Sequence, residues 1–315
     1  CYGEKTTRTF RDGKKEVKTG DVFNLLRDWT NEYNSHSLEE FPFLGQLYGS
    51  WGYELINYIE PTVPAHKVIN KEVPNGAWMF FDQIIIFDQL KRCITALVYA
   101  DLSQIKKLSI EQVYANSIKE IRAIKSSMLM PLKEVDILKW NQKKDLNIDI
   151  TSNWSQKDFQ GAVSKAKEFI RTGDIFQIVI SQKFKTKVKS KPFDLYRSLR
   201  MINPSPYMAF FDFGSWYLIG SSPEVMVKAD QDKKDRIIAR LRPIAGTRPR
   251  GIDLDEDNQL ATDLLNDPKE ISEHVMLVDL GRNDLGRVCE IGSVNVKDLM
   301  IIEKYSHVMH IVSEV

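Results

Sequence analysis

The hydrophobic positions between residues 268 and 286 recur at helical spacing and predict one long helix. The side chains expected to form its buried stripe are Ile271, Val275 and Val278. Asp267 is suited to cap the start, because its carboxylate can accept hydrogen bonds from the first backbone N–H groups, and Pro268 is favoured at the first helical position. Gly281 is expected to end the helix, because glycine readily adopts the left-handed backbone that follows a last turn.

A second helical pattern begins at Ser155, with Asp158 placed to complete the cap, and stops at Gly173. The alternation of apolar and polar side chains that follows predicts a strand from Phe176 to Phe184. Four more short strand-like runs cover residues 207–213, 216–220, 225–228 and 237–241. Neighbouring short strands usually pair antiparallel, so the pattern predicts an α+β fold and not a doubly wound parallel one.

The first part of the chain mixes strand-like and helical patterns up to about residue 125. The polar, lysine-rich stretch from Pro131 to Asn153 has no periodicity and is interpreted as a connection. The sequence therefore predicts two parts, residues 1–150 and residues 151–315.

The composition, 43% hydrophobic and 28% charged over 315 residues, is that of an ordinary globular protein with enough apolar material for a core. A formal net charge of +1 supplies no electrostatic attraction to nucleic acid or to an anionic membrane surface, so neither is an expected partner. The most hydrophobic stretch, Trp78 to Leu90, is interrupted by Asp82 and Asp88 and is too short to span a bilayer. The polar, charged start of the chain shows no signal-peptide pattern.

The cysteines are odd in number and lack metal-ligand spacing: Cys1, Cys93 and Cys289. This usage fits a reducing compartment, the cytoplasm or the plastid stroma of a plant or alga. Cys93 stands inside a strand-like run and is expected to be a small buried side chain. None of the three stands in a recognisable nucleophile motif.

Glu270 and Glu273 stand three positions apart on the helix predicted for residues 268–286, so both project from one face near its start. Two carboxylates in this arrangement can hold a hard divalent cation such as Mg²⁺, which takes oxygen ligands and keeps several waters. The same pair can also be a solvated acidic first turn that complements the helix dipole. The spacing by itself leaves both interpretations open.

Five segments occur together in the second half of the chain: RPIAGTRPRG (242–251), PSPYM (204–208), KYSHVMH (304–310), GDIFQIVISQKF (173–184) and SSPE (221–224). With the helix of residues 267–286, they resemble the chorismate-utilising enzymes, in particular the large, aminating subunits of anthranilate synthases. A thinner similarity lies at GQLYGSWGYELINYIE (45–60). The resemblance implies a large α/β/β/α sandwich with mostly antiparallel sheets.

The resemblance also implies a reaction. Such enzymes add ammonia at ring C2 of chorismate, expel the C4 hydroxyl and eliminate pyruvate to give anthranilate, a step of tryptophan biosynthesis. This chemistry needs a cation for the ring carboxylate, an acid for the departing hydroxyl and a group for proton transfer near C2. By their places in the family motifs, Glu273 corresponds to a Mg²⁺ ligand with Glu270 one turn away. Glu224 corresponds to the glutamate near the leaving hydroxyl, and His310 to the histidine beside the substrate.

Gly246 and Thr247 correspond to the turn that contacts chorismate through backbone and hydroxyl groups. By the same resemblance, Gln177 is expected among the catalytic residues and Ala245 among the substrate-binding ones, and both stand where members of the family differ. Relatives that add water or form salicylate carry a lysine in place of Gln177, and aminodeoxychorismate synthases commonly carry a lysine nucleophile in place of Ala245. Neither lysine is present here, so the resemblance implies direct attack by free ammonia, supplied by a separate glutamine amidotransferase subunit.

Pro206, Tyr207 and Met208 correspond to the segment that binds tryptophan as a feedback inhibitor in anthranilate synthases. The alternative is a plain strand entry in which prolines set the turn and Tyr207 packs. The second half of the family's tryptophan pocket, an N-terminal leucine-leucine-glutamate-serine motif, is not found. Motifs expected beyond Val315, including a second metal-ligating glutamate, are not found either, so the chain is expected to be truncated at both ends.

Two other functions remain open from the sequence. One is component I of aminodeoxychorismate synthase in the folate pathway, against which Ala245 and the PSPYM segment argue. The other is a non-catalytic fragment that binds tryptophan or docks a partner subunit.

Overall fold

The computed structural model describes residues 1–33, 45–64, 73–131, 149–232 and 236–315. The chain forms two compact units, one of Cys1–Pro131 with Asn203–Val315 and the other of Leu132–Ile202. The single division predicted near residue 150 stays a prediction, and the predicted connection between Pro131 and Asn153 lies largely outside the described residues.

The regular elements of the described ranges are short strands and six α-helices. The helices are α1 Val22–Asn31, α2 Ile110–Leu129, α3 Gln156–Arg171, α4 Pro192–Ile202, α5 Leu254–Asn266 and α6 Pro268–Gly286. The strands are β1 Lys5–Thr9, β2 Lys15–Thr19, β3 Leu47–Trp51, β4 Gly76–Phe80, β5 Gln83–Asp88, β6 Cys93–Val98, β7 Ile150–Ser152, β8 Phe184–Thr186, β9 Tyr207–Asp212, β10 Tyr217–Ser222, β11 Lys228–Gln231, β12 Ile237–Arg240, β13 Ile244–Pro249, β14 Asp298–Lys304 and β15 Val308–Glu314. Two 3₁₀ helices span Tyr53–Tyr58 and Leu102–Lys106.

Every strand pairing in the described residues is antiparallel. Consecutive strands form two-stranded ladders, and one three-stranded sheet has the order β13-β15-β14 with β15 in the middle. Helices and antiparallel strands together make the predicted α+β class correct. Helices α5 and α6 pack against the three-stranded sheet, which therefore positions the residues described below.

The second unit contains α3, α4 and the β7–β8 ladder. The helix predicted from Ser155 is confirmed, since the Ser155 side chain caps α3. The strand predicted from Phe176 to Phe184 is wrong, because only its last residue is in a strand, β8. A strand needs a ladder partner for its backbone groups, and the partner of β8 is only three residues long.

The helix predicted for residues 268–286 is observed as α6 Pro268–Gly286, and its predicted start is confirmed, with Asp267 as its cap and proline at its first position. Its buried stripe differs from the prediction and consists of His274, Val278, Gly281 and Leu285. Val275 was predicted to be buried but is 40% exposed. Gly281 was predicted to end the helix but lies within it, where a Cβ would sit 3.3 Å from Leu241. Gly281 therefore allows the helix to approach the end of β12 closely.

Three interactions hold α5 and α6 on the sheet. Leu264 of α5 packs with Met309 and Ile311 of β15, all three fully buried. Val278 and Leu285 of α6 pack with Val315 at the end of the chain.

The third interaction is polar. The fully buried His274 has its Nε2 2.7 Å from the Ser313 hydroxyl oxygen, which also accepts a 2.9 Å hydrogen bond from the Met300 N–H. His274 therefore has a structural role in the core. The predicted stripe had placed its neighbour Val275 in the core instead, and the hydroxyl that β15 presents accounts for a histidine there.

No helix of the described ranges is both long and apolar enough to cross a membrane. The three cysteines are free thiols. Cys93 is exposed at the first position of β6, so its predicted burial is wrong.

We expect Gly281→Leu to lower the free energy of unfolding by about 1–3 kcal/mol, because a large side chain is forced against Leu241. Gly286→Leu is the matched control on the same helix, since a Cβ there meets no atom within 4 Å. Urea unfolding of both variants measures the difference. Equal stabilities would show that α6 does not need the close approach at Gly281.

Candidate active site

A bulge in β13 forms the centre of the candidate site. β13 pairs with β15, but the register shifts between Ala245 and Thr247, so Gly246 is an extra residue without an opposite partner. Gly246 has a φ of +78°, and a Cβ there would lie 3.1 Å from the side chains of Ile311 and Leu264. Glycine suits this position because it adopts a positive φ readily and has no Cβ to press against these two side chains. The bulge therefore follows from this residue, and it turns the Gly246 carbonyl and the Thr247 hydroxyl toward the same point.

His310 of β15 lies at that point. Its Nδ1 is 3.0 Å from the Thr247 hydroxyl oxygen and 3.1 Å from the Gly246 carbonyl oxygen. Because a carbonyl oxygen can only accept, Nδ1 carries the proton and Nε2 is the basic nitrogen of the neutral ring. The ring packs edge-to-face on Tyr305, with centroids 5.5 Å apart. The structure thus brings together three predicted site residues and orients the imidazole for proton transfer at Nε2.

Glu224 is a fourth predicted residue in this group. It lies in the loop after β10, and the strand predicted for residues 225–228 begins only at Lys228, where β12 supplies a ladder partner. Partial burial of the carboxyl raises the pKa of Glu224, while the Ile244 backbone N–H and the nearby His310 imidazole oppose this. A raised pKa favours the protonated form that a general acid requires.

The two carboxylates predicted to bind a metal lie near the start of α6. The Asp267 carboxylate accepts hydrogen bonds from the N–H groups of Lys269 and Glu270, at 3.0 and 3.3 Å. The Glu270 side chain is only 17% exposed, with Lys269 Nζ 3.7 Å from its Oε1, whereas Glu273 is exposed. Within the described ranges, no group of three or more His, Cys, Asp or Glu side chains is arranged to hold a metal ion. The helix therefore offers two carboxylates, oxygen donors of the kind that Mg²⁺ takes, and their role as its ligands stays a prediction.

Two further predicted residues lie in different settings. Ala245 is buried and pairs with Ile311 across the β13–β15 ladder. Gln177 belongs to the second unit, where it is exposed on backbone without regular structure. Their assignment to the substrate site stays a prediction.

The segment predicted to bind tryptophan enters β9, with Tyr207 and Met208 paired to Ser222 and Ser221 of β10. Pro206 and Tyr207 are exposed and Met208 is half-buried. Tyr207 borders a cleft of about 380 Å³. The other side chains that line this cleft are Val225, Lys228, Arg240, Arg242, Lys297 and Glu314.

The arginines of the 242–251 segment were not predicted as functional, yet each binds a carboxylate. The pairs are Arg242 with Glu303, Arg248 with Asp263 and Asp267, and Arg250 with Asp257. The sequence contained a sign of the pairs made by Arg248 and Arg250, because these alternating arginines are followed by an acidic stretch at residues 253–267. Only the folded chain shows which partner each arginine takes.

Comparison with known proteins identifies the family. The family model described as chorismate binding enzyme matches residues 2–315. This chain belongs to the chorismate-binding enzyme family. Two segments that carried the resemblance, RPIAGTRPRG and KYSHVMH, meet in one sheet. The first contains β13 and the second forms the turn into β15, and these strands carry the group around His310.

Two curated relatives of this family member are both anthranilate synthase component 1. The protein from Synechocystis is 48% identical over 318 residues, covering 99% of this chain and 62% of the relative. The protein from Acetivibrio thermocellus is 40% identical over 320 residues, covering 100% of this chain and 62% of the relative. The chain therefore spans about three fifths of the length of these curated relatives.

Among solved structures, the crystal structure of anthranilate synthase component I from Streptococcus pneumoniae matches with a TM-score of 0.74 and 32% identity. The match covers 97% of this chain and 65% of that protein. The likeness shows that this family member has the fold of the corresponding part of that protein.

In this chorismate-binding enzyme, Asp257 is buried against the Arg250 guanidinium, at 2.6 Å from Nη2, and accepts a 2.7 Å hydrogen bond from the Gly251 N–H. These contacts, with Lys304 nearby, hold the pKa of Asp257 well below its usual range. A lowered pKa stabilises the fold above the unfolded pKa of about 4, and this contribution is lost as the pH falls further.

We therefore expect Asp257→Asn to lower the melting temperature at pH 7, with the difference from wild type shrinking progressively below about pH 4. Asp255→Asn is the control, since Asp255 is exposed on the first turn of the same helix. Thermal unfolding followed from pH 7 to pH 2 measures both. A difference that stays constant across this range would show that the Asp257 charge does not stabilise the fold.

Proposed function

We propose that this chain carries the chorismate-binding part of an anthranilate synthase aminase subunit. The reaction converts chorismate and ammonia to anthranilate and pyruvate. The observation that carries the proposal is the convergence of Glu224, Gly246, Thr247 and His310 at the β13 bulge of a chain whose curated relatives are named anthranilate synthase component 1.

Glu224 is proposed as the acid for the departing C4 hydroxyl. As ammonia forms a bond to ring C2, the C4–O bond breaks and the leaving oxygen takes a proton. The environment that raises the pKa of Glu224 keeps more of this carboxyl protonated and able to supply that proton. His310 Nε2, with the proton of the ring fixed on Nδ1, is placed to exchange protons beside the reacting ring.

Glu273 and Glu270 are proposed to hold Mg²⁺. Their carboxylate oxygens are hard donors, and Mg²⁺ is commonly bound by one or two carboxylates with waters and substrate oxygens in its remaining positions. Bound Mg²⁺ would neutralise the ring carboxylate of chorismate and help to hold the substrate.

A separate glutamine amidotransferase subunit is proposed as the source of ammonia. The cysteines of the chain are free thiols outside any nucleophile motif, and Gln177 and Ala245 are neither bases nor nucleophiles. Direct attack by ammonia is therefore the proposed route. Free thiols also fit the cytoplasm as the proposed location.

Fluorescence detection of anthranilate tests this function. The full-length protein is mixed with chorismate, Mg²⁺ and an ammonium salt, and the product is confirmed by mass spectrometry. Anthranilate and pyruvate in equal amounts are expected. A product aminated at C4, a hydroxylated isomer of chorismate, or unchanged substrate would contradict the proposal.

We expect Glu273→Gln to remove Mg²⁺-dependent anthranilate formation almost completely, because the substitution keeps the size but removes one anionic ligand. Asp279→Asn is the control on the same helix, since Asp279 is exposed and pairs with Arg282. Rates are measured against Mg²⁺ concentration. Wild-type rates in Glu273→Gln would place the metal elsewhere.

Tryptophan is proposed as a feedback inhibitor that binds at Pro206, Tyr207 and Met208. Tyr207 borders the cleft of about 380 Å³, and the half-buried Met208 is the next residue of β9, so either side chain can supply apolar contact near this segment. We expect Met208→Thr to weaken tryptophan inhibition by roughly 1–3 kcal/mol through the loss of apolar contact. Ammonia-dependent activity should be kept.

Inhibition curves for Met208→Thr are compared with those for Met201→Thr, whose side chain is 68% exposed at the end of α4. An inhibition curve for Met208→Thr that matches wild type would place the tryptophan site elsewhere.

A further inference from the structure

Arg248 of β13 bridges two helices through separate nitrogens of its guanidinium. Nε lies 2.7 Å from an Asp263 carboxylate oxygen near the end of α5, and Nη2 lies 2.9 Å from an Asp267 carboxylate oxygen before α6. Nη1 donates to the Thr247 carbonyl oxygen at 3.1 Å, which holds the guanidinium against its own strand. The planar fork of arginine can span two carboxylates in this way, whereas the ammonium of lysine is a single point charge.

The two oxygens of the Asp267 carboxylate make different interactions. Oδ1 accepts the Lys269 and Glu270 N–H groups and caps α6, whereas Oδ2 accepts the hydrogen bond from Arg248. The orientation of this carboxylate therefore links the first turn of α6 to β13. That turn begins the helical face that presents Glu270 and Glu273.

The same strand, β13, also contacts His310 of β15, the proposed catalytic histidine. Thr247 and Arg248 are consecutive in β13 and lie opposite His310 and Met309 of β15. Consecutive strand residues point to opposite faces of a sheet. Thr247 therefore contacts His310 on one face while Arg248 reaches the helices on the other, where the buried Met309 packs against α5.

We propose that Arg248 is a positioning residue that fixes the first turn of α6, and with it Glu270 and Glu273, relative to His310. The proposal rests on the proposed function, in which these glutamates hold Mg²⁺. Arg248 would act through Asp267 and touch neither substrate nor metal. Ion pairs as exposed as these, with Asp263 64% and Asp267 30% exposed, contribute little to global stability. The expected effect is therefore local.

The test uses the full-length protein and Arg248→Gln, with Arg282→Gln as the control. Arg282 also pairs with a carboxylate of α6, but far from its start. Calorimetric titration with Mg²⁺ in the presence of chorismate should show affinity lowered roughly tenfold to a hundredfold in Arg248→Gln, the usual effect of removing a group that orients metal ligands. The rate at saturating Mg²⁺ and the urea midpoint should stay close to wild type. Arg248→Lys should recover only part of the affinity.

Asp267→Asn separates the helix cap from the ion pair with Arg248, because asparagine is also a good cap but lacks the negative charge that binds Arg248. It should reproduce the Mg²⁺ defect of Arg248→Gln. The double variant should be no worse than either single variant, since both remove one interaction.

Amide hydrogen exchange provides a readout that does not depend on metal or catalysis. Faster exchange of the Lys269 and Glu270 N–H groups in Arg248→Gln, but not in Arg282→Gln, supports the positioning role even if wild type neither binds Mg²⁺ nor converts chorismate. In that case the proposed function alone has failed. Unchanged exchange and unchanged Mg²⁺ affinity in Arg248→Gln would overturn the inference. If Arg248→Gln does not fold, Asp263→Asn, which removes one arm of the bridge and leaves the cap intact, is measured in the same way.

Discussion

The pairing of β13 with β15 is interrupted at Gly246, and the geometry of the candidate site depends on this interruption. One unpaired residue with a left-handed backbone shifts the register and directs a carbonyl and a hydroxyl toward His310. Those two contacts set both the ring orientation of the histidine and the position of its proton. A regular ladder at this place would keep the Gly246 carbonyl in the sheet, where it could not bind the imidazole.

The face of the sheet opposite His310 determines where the helices lie. Leu264, Met309 and Ile311 form an apolar contact between α5 and β15, and the buried pair of His274 and Ser313 joins α6 to the same strand. A fully buried histidine costs free energy unless it is hydrogen-bonded, so this contact specifies the placement of the helix as well as contributing packing. Desolvation lowers the pKa of His274 and favours its neutral form.

The carboxyl groups around β13 respond to their surroundings in opposite directions. Arginine and backbone N–H donors lower the pKa values of Asp257 and Asp267, which therefore remain charged and tie α5 and α6 to the strand. The Glu224 carboxyl behaves differently, because partial burial raises its pKa against the opposing effects of the Ile244 N–H and the His310 imidazole. The same side-chain chemistry thus serves as a structural anion in one place and as a candidate proton donor in another.

Local periodicity, capping and motif order were enough to predict the α+β class, the start and cap of α6, and the residues that belong to a chorismate-binding enzyme. The remaining features depend on contacts between elements that are distant in the chain. Val275 is exposed and His274 is buried because the position of Ser313 on β15, distant in the chain, selects the packed face of α6. Gly281 lies inside the helix because Leu241 approaches it, and residues 176–183 are not a strand because no ladder partner lies beside them in the described structure. The ion pairs of Arg248 and Arg250 also join separate elements, and no local pattern in the chain records which carboxylate each arginine meets.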